Sequence, residues 1–425
     1  MSFIVTFIAA VFVFSAVIAI HEFGHFMVAK LCGVQVNEFS IGMGPVLCKR
    51  VRKGTQYSIR ALPVGGFVAL EGEESPESKQ AEENTDEEPL SPHSDADSSP
   101  SRGAKADAGE PAAPGRGAKA DAGEAAAPDR GAGKPDLPPL SGEVAEPTGS
   151  DGEVSPSGIP LNEAPVWQRA LIMLAGAGMN FVLGFVVMAI LITAQSEPIT
   201  SKVLYQVEEN ALCGQTGLQA GDKILAVNGR RCFVANDILY ELMRTEDYTA
   251  DFTVLRDGKK VELPGVQFDT WQDDKGETHM SLGFTVYGIK KTPLNVLKEA
   301  GNSVLYYGRI IFASLSDLLR GRESINDLSG PVGIVTAIGQ AASYGWQDLL
   351  ELLVLITVNL GIFNLLPFPA LDGGKVVFLL IEGVTGHAVP EKIQSGLTVA
   401  AFALLFGLMI FATYNDILRL ITGAM

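Results

Sequence analysis

Long apolar runs alternate in this chain with stretches almost devoid of them. Phe3 to Ile20 is uncharged and mostly apolar, Ala170 to Ala194 is a second such run, Leu352 to Leu366 a third interrupted by Thr and Asn, and Ser395 to Tyr414 a fourth. A helix crosses the hydrocarbon core with about 20 residues, so the pattern predicts about four transmembrane helices. Val304 to Leu319 is shorter and carries Arg309 and Asp317, which predicts an amphipathic helix at the interface. The opening MSF has no basic residue ahead of the apolar run, so an uncleaved span is expected, not a signal peptide.

Between the spans the periodicity changes. Asn37 to Leu70 is strand-like, with TQYSIRAL between Gly54 and Pro63 and with Gly42, Gly44, Gly65 and Gly66 as punctuation. This predicts a small β-unit against the membrane. From Gly72 to Pro160 there is no aromatic residue, and RGAKADAGEPAAPG (102–115) is followed directly by RGAKADAGEAAAPD (116–129). Such a segment buries too little apolar surface to offset chain entropy, so it reads as a disordered linker. After Ser201 come KVLYQV, DKILAVNG, YTADFTVLRDG and KKVELPGV, strands with Asn-Gly and Asp-Gly turns, and a helix is expected over Val234 to Arg244. One compact α+β domain is the reading.

Charge orients this arrangement. Lys30, Lys49, Arg50, Arg52, Lys53 and Arg60 follow the first span against only Glu38, which places that connection in the cytoplasm. The N-terminus, the segment from 197 to 345 and the C-terminus are then expected outside. The net charge of -17 is local, because residues 71–163 hold 22 acidic against 7 basic residues. No basic patch points to nucleic acid. The cysteines, Cys32, Cys48, Cys213 and Cys232, have no C-x-x-C spacing, and the Cys213–Cys232 pair leaves an outside disulfide open.

Chemistry enters through HEFGH. Positions i and i+4 of a helix share a face, so His21 and His25 can present nitrogens to one zinc ion, with Glu22 beside them as a general base. The alternative is a structural cluster in which the three satisfy one another, but a carboxylate at membrane depth is costly without a functional partner. A catalytic zinc needs a third protein ligand. Asp372 in NLLPFPALDGG (364–374) is the candidate: Pro367 and Pro369 stop the helix, and Gly373 with Gly374 lets the chain turn. Broken backbone at this depth must line a cavity or lie within protein.

HEFGH and NLLPFPALDGG together resemble the site-2 protease family of intramembrane zinc metalloproteases, close to bacterial regulator-of-sigma-E proteases. LPVGGFVAL (62–70), AGAGMNF (175–181) and SGPVGI (329–334) are similar to further motifs of that family, though Gly178 and Met179 depart from its second-span pattern. Ala211 to Gly229, ALCGQTGLQAGDKILAVNG, resembles bacterial PDZ domains. The resemblance implies zinc on His21, His25 and Asp372, Glu22 as general base and then acid, and Asn364, Pro367, Pro369 and Asn180 at the substrate. It implies a multi-pass protein of the bacterial cell membrane, cleaving single-span proteins of the anti-sigma-factor type or remnant signal peptides. A single PDZ-like domain would bind or exclude substrate ectodomains.

The implied partition is a first transmembrane helix over 1–31, a β-loop over 32–71 and an insert over 72–162. A second helix over 163–196, a PDZ-like domain over 197–288 and interfacial helices over 289–345 follow. A third segment over 346–385 and a fourth helix over 395–422 complete it. A non-enzymatic scaffold and a metal transporter are the competing classes, and the lack of an inverted repeat argues against the transporter.

Overall fold

A computed structural model describes residues 3–73 and 158–422, apart from 246, 275 and 323. The first helix, α1 (Phe3–Leu31), runs straight through HEFGH and ends before Gly33, whose φ of 75° only glycine adopts freely. Two strands follow, β1 (Val36–Arg52) and β2 (Thr55–Leu70). Lys53 and Gly54 both have positive φ and join them in a tight turn. The pairing is irregular: residues 38–41 of β1 meet 66–69 of β2 on one side and 56–59 on the other, while 48–52 pair with 55–59. The hairpin is therefore bent upon itself, and among the described residues 66–70 form an outer row without a second strand neighbour. Val36 and Leu70 pack with Ala29 of α1 and with Ile172 and Met173 of α2 (Val166–Ala194), fixing the hairpin to the membrane helices.

The next segment folds as one α+β domain. A six-stranded sheet has the order β10-β3-β4-β6-β7, with β5 beside β4. In chain order these are β3 (Ile199–Val207), α3 (Leu212–Gln215), β4 (Lys223–Val227), β5 (Arg230–Arg231), α4 (Ala235–Met243), β6 (Thr249–Arg256) and β7 (Lys259–Gln267). A hairpin of β8 (Asp269–Gln272) and β9 (Thr278–Ser281) leads to β10 (Phe284–Ile289). The Asn-Gly and Asp-Gly turns have positive φ at both residues, 48° and 74° at Asn228-Gly229, 51° and 76° at Asp257-Gly258. Leu204, Leu218, Ile224, Leu242 and Phe252 fill the core. Cys213 and Cys232 are both free thiols buried in this domain, not a disulfide, and burial pushes the Cys232 thiol up to about 12.

Five α-helices follow among the described residues: α5 (Pro293–Leu319), α6 (Pro331–Tyr344), α7 (Trp346–Leu365), α8 (Asp372–Thr385) and α9 (Glu391–Thr422). Among the described residues four helices, α1, α2, α7 and α9, are long and apolar enough to cross a membrane. Each is longer than its apolar run, because the polar flanks continue the helix without an interior proline. The segment 346–385 divides into α7 and the shorter α8 at Leu366 to Leu371. Val304 to Leu319 belongs to a 27-residue helix, α5, whose Val296, Ala300, Tyr307 and Ile311 join Val13, Val17, Val187, Leu353 and Val358 in the bundle core. Its amphipathic face is thus turned onto protein, between the bundle and the α+β domain.

Two polar devices hold these parts in register. Arg309 of α5 reaches Asp237 at 2.7 Å and Glu241 at 3.0 Å on α4, and Arg244 pairs with Asp317. All three carboxylates are buried. Removing one partner of such a pair leaves the other charge uncompensated, so the pairs fix how the α+β domain seats on α5. In the second device Asp416 of α9, fully buried, accepts from Gly330 N at 3.2 Å and Gly333 N at 2.7 Å, capping α6. A Cβ at either glycine would collide with Asp416, which gives SGPVGI a structural reason.

The expected disorder over 72–162 falls mostly outside the described residues. Its last residues are described, with a turn of 3-10 helix over Leu161–Glu163, and its two ends meet. Leu161 N donates to Glu71 O at 2.6 Å, while Gln35 N donates to Ile159 O at 2.9 Å. Excision of residues 75–157 is therefore expected to leave membrane insertion and melting temperature close to those of the full chain, since shortening a loop lowers its closure cost by only about 0.6 kcal/mol per halving. The check is a side-by-side measurement on both proteins; failed insertion or a markedly lower melting temperature would mean that the insert does more than connect.

Candidate metal centre

The centre is assembled from two distant parts of the sequence. On α1 one helical turn separates His21 from His25, and each is 8% exposed. Asp372 opens α8, where its charge faces the helix's positive end. The chain reaches it through Leu366 to Leu371, a connection with Pro367 and Pro369 in which Phe368 N donates to Leu366 O at 2.7 Å and Leu371 N to Phe368 O at 2.9 Å. A Cβ at Gly373 or Gly374 would strike the carbonyls of Leu366 or Phe368, so the two glycines allow α8 to start tightly against the end of α7.

The donor atoms converge. His21 Nε2 lies 3.1 Å from Asp372 Oδ2, His25 Nε2 lies 3.4 Å from the same oxygen, and the two nitrogens are 3.1 Å apart. Ligands at about 2.0–2.2 Å around a tetrahedral zinc stand about 3.3–3.5 Å from one another, so the triangle has the size of one face of such a site. Asp372 Oδ2 is buried with no hydrogen bond of its own, and a carboxylate oxygen converging with two imidazole nitrogens is a donor set suited to one shared cation. Gly176 of α2 makes room: a Cβ there would run into both imidazole rings. His25 Nδ1 faces the Ile172 carbonyl at 2.8 Å, the contact that frees Nε2 for a metal. These residues fit zinc.

Glu22 is outside the triangle but lines the same cavity of roughly 140 Å³, with Val68, Leu70, Glu73, Met173 and Lys375. Asn180 on α2 and Asn364 on α7 both approach His21 Nδ1, through Nδ2 at 3.3 Å and 3.5 Å. Pro367 and Pro369 shape the connection to α8 and do not line the cavity; the Pro369 carbonyl accepts from Thr398 on α9 at 3.3 Å. Lys375 and Glu73 were not expected at the site. Lys375 Nζ pairs with Glu73 Oε1 at 2.8 Å. The spacing of Lys375 three residues after Asp372 was the available signal, whereas nothing local in the sequence points to Glu73.

The comparisons agree with this chemistry. A family model described as Peptidase family M50 matches residues 9–408. The Regulator of sigma-W protease RasP of Bacillus subtilis is 30% identical over 424 residues, covering 98% of this chain and 99% of its own. The Probable protease eep of Enterococcus faecalis is 30% identical over 429 residues, 97% of this chain and 99% of its own. The Zinc metalloprotease RasP of Geobacillus kaustophilus is 31% identical over 427 residues, with 96% and 97% covered. With a donor triangle of zinc dimensions beside a free glutamate, and similarity running the length of the chain, this protein belongs to peptidase family M50, the site-2 protease family, and is a zinc metalloprotease.

Proposed function

We propose that the protein is an intramembrane endopeptidase that cleaves single-span membrane proteins, of the anti-sigma-factor type or as remnant signal peptides. One observation carries this reading: His21, Glu22 and His25 sit within a helix apolar enough to span the bilayer, beside the free outer row 66–70 of β2. Val68 and Leu70 of that row line the cavity, and a Cβ at Gly66 would stand 3.8 Å from the Glu22 side chain. A substrate helix hides its peptide bonds in its own hydrogen bonds and must unwind to be cut. An unpaired strand edge offers replacement backbone partners by strand addition.

Zinc, when bound, supplies Lewis acidity toward a water and the scissile carbonyl and brings the water's pKa to about 7. His21, His25 and Asp372 would hold it. Glu22 then takes the water's proton on its carboxylate and delivers it to the leaving amine. The resemblance supports a substrate-backbone contact for Asn364, which lies near the end of α7 beside His21.

Positive residues after α1 support cytoplasmic placement of the hairpin, with both termini and the α+β domain outside. The similarity of 211–229 to PDZ domains supports a PDZ-like assignment. The buried ion pairs from Arg309 and Arg244 favour exclusion over flexible capture, because they seat the domain firmly on α5. The test uses purified protein in liposomes with two versions of one single-span substrate, its outer segment either short or fused to a folded domain. The short version is expected to be cut at least tenfold faster, and a zinc chelator should stop it. Equal rates would overturn exclusion; no cleavage of either by zinc-loaded protein would overturn the endopeptidase reading.

A further inference from the structure

The proton on His21 has to go somewhere, and where it goes assigns a new role to a residue of α2. This step rests on the metal-centre reading above. His21 Nε2 faces Asp372 Oδ2 and His25 Nε2, so a neutral ring that ligates through Nε2 carries its hydrogen on Nδ1. A buried N–H requires an acceptor. For His25 that acceptor is the Ile172 carbonyl. For His21 the neighbours are two amide nitrogens, Asn180 Nδ2 at 3.3 Å and Asn364 Nδ2 at 3.5 Å. Three donors facing one another form no bond.

Asn180 resolves the conflict. Its Oδ1 is buried without a partner, and the residue is 0% exposed. The oxygen and nitrogen of a side-chain amide are assigned from their hydrogen bonds, not from shape. Turning the Asn180 amide half a turn puts Oδ1 where Nδ2 stands, and the orphaned oxygen and the His21 N–H satisfy each other in one change. The backbone around Asn180 is itself held, since its carbonyl accepts from Thr357 Oγ1 of α7 at 3.3 Å.

We infer that Asn180 is the positioning residue of His21: its amide oxygen accepts the Nδ1 hydrogen, fixes Nε2 as the ligating nitrogen and sets the ring's angle to the metal. This replaces substrate contact as the role of Asn180, because a side chain with no exposed surface cannot meet a substrate. Asn364 keeps that role.

The experiment measures zinc affinity of the full-length protein in detergent, by competition with a chromophoric chelator, together with the visible spectrum of the cobalt(II) form. Asn180→Leu removes the acceptor at similar volume; Asn180→Asp keeps oxygen at the same place. Asn180→Leu is expected to bind zinc about 10–100-fold more weakly, the usual effect of losing a partner behind a ligating histidine, with a shifted cobalt spectrum. Asn180→Asp is expected to bind at least as tightly as wild type, and melting of the metal-free proteins separates ligation from folding. Wild-type affinity and spectrum in Asn180→Leu would overturn the inference, as would an Asn180→Asp that falls as far as Asn180→Leu. Failure of the wild type itself to bind zinc would overturn the metal-centre reading first, and is seen before any variant is compared.

Discussion

Glu22→Gln is expected to stop peptide-bond cleavage and to leave zinc in place. The basis is positional. The three converging donors belong to His21, His25 and Asp372, and Glu22 lines the cavity without joining them. Glutamine has nearly the same shape and can still accept hydrogen bonds, but its amide cannot take a proton from water at neutral pH. General base catalysis contributes about 100- to 10,000-fold, and the same carboxylate is needed again as the acid that protonates the leaving amine. A loss of at least about a thousandfold in single-turnover rate is therefore expected, with kcat falling and substrate binding kept. Zinc per chain, measured on the same preparation by elemental analysis, should match wild type. Undiminished cleavage would sink the proposed mechanism, and loss of zinc would make Glu22 a ligand.

The parts of this site differ in how plainly the sequence displays them, and the difference is one of range. His21 and His25 are legible because helical periodicity alone puts them on one face. Asp372 is legible because Pro367, Pro369, Gly373 and Gly374 announce broken backbone around an acid at membrane depth. The four spans are legible from apolar run length, though their ends are not, since polar residues such as Lys30 or Glu391 extend a helix as readily as they end an apolar run. What escapes is contact between segments far apart that no local rule connects. Glu73 meets Lys375 across 302 positions. Asp416 caps α6 from another helix. The orientation of α5 is the instructive case: Arg309 and Asp317 argue for an interface, yet their partners are Asp237, Glu241 and Arg244 of the α+β domain. A charged residue in an amphipathic helix marks a polar neighbour and does not say whether it is water, headgroup or protein.

Asp372→Ala is expected to have the largest effect on the metal itself. The substitution deletes the oxygen at which both 3.1 Å and 3.4 Å edges of the triangle meet, leaving two imidazoles as the only described ligands. It also removes the negative charge that offsets a divalent cation in a site with little water, where electrostatic attraction is strong. The loss in zinc affinity should exceed the about 10–100-fold typical of disturbing a residue behind a ligand, and therefore exceed that of Asn180→Leu. Thermal melting provides a measurement independent of activity. A metal that binds only the folded state stabilises by about 2.7 kcal/mol when present at 100 times its dissociation constant, so zinc should raise the melting temperature of wild type and of Glu22→Gln. In Asp372→Ala the same zinc concentration should leave the melting temperature where the metal-free protein has it. Folding is not expected to suffer, because Gly373 and Gly374, which set the packing of α8 on the end of α7, are untouched. Full zinc occupancy in Asp372→Ala would remove Asp372 from the ligand set, and with it the link between α1 and α8 on which the catalytic reading depends.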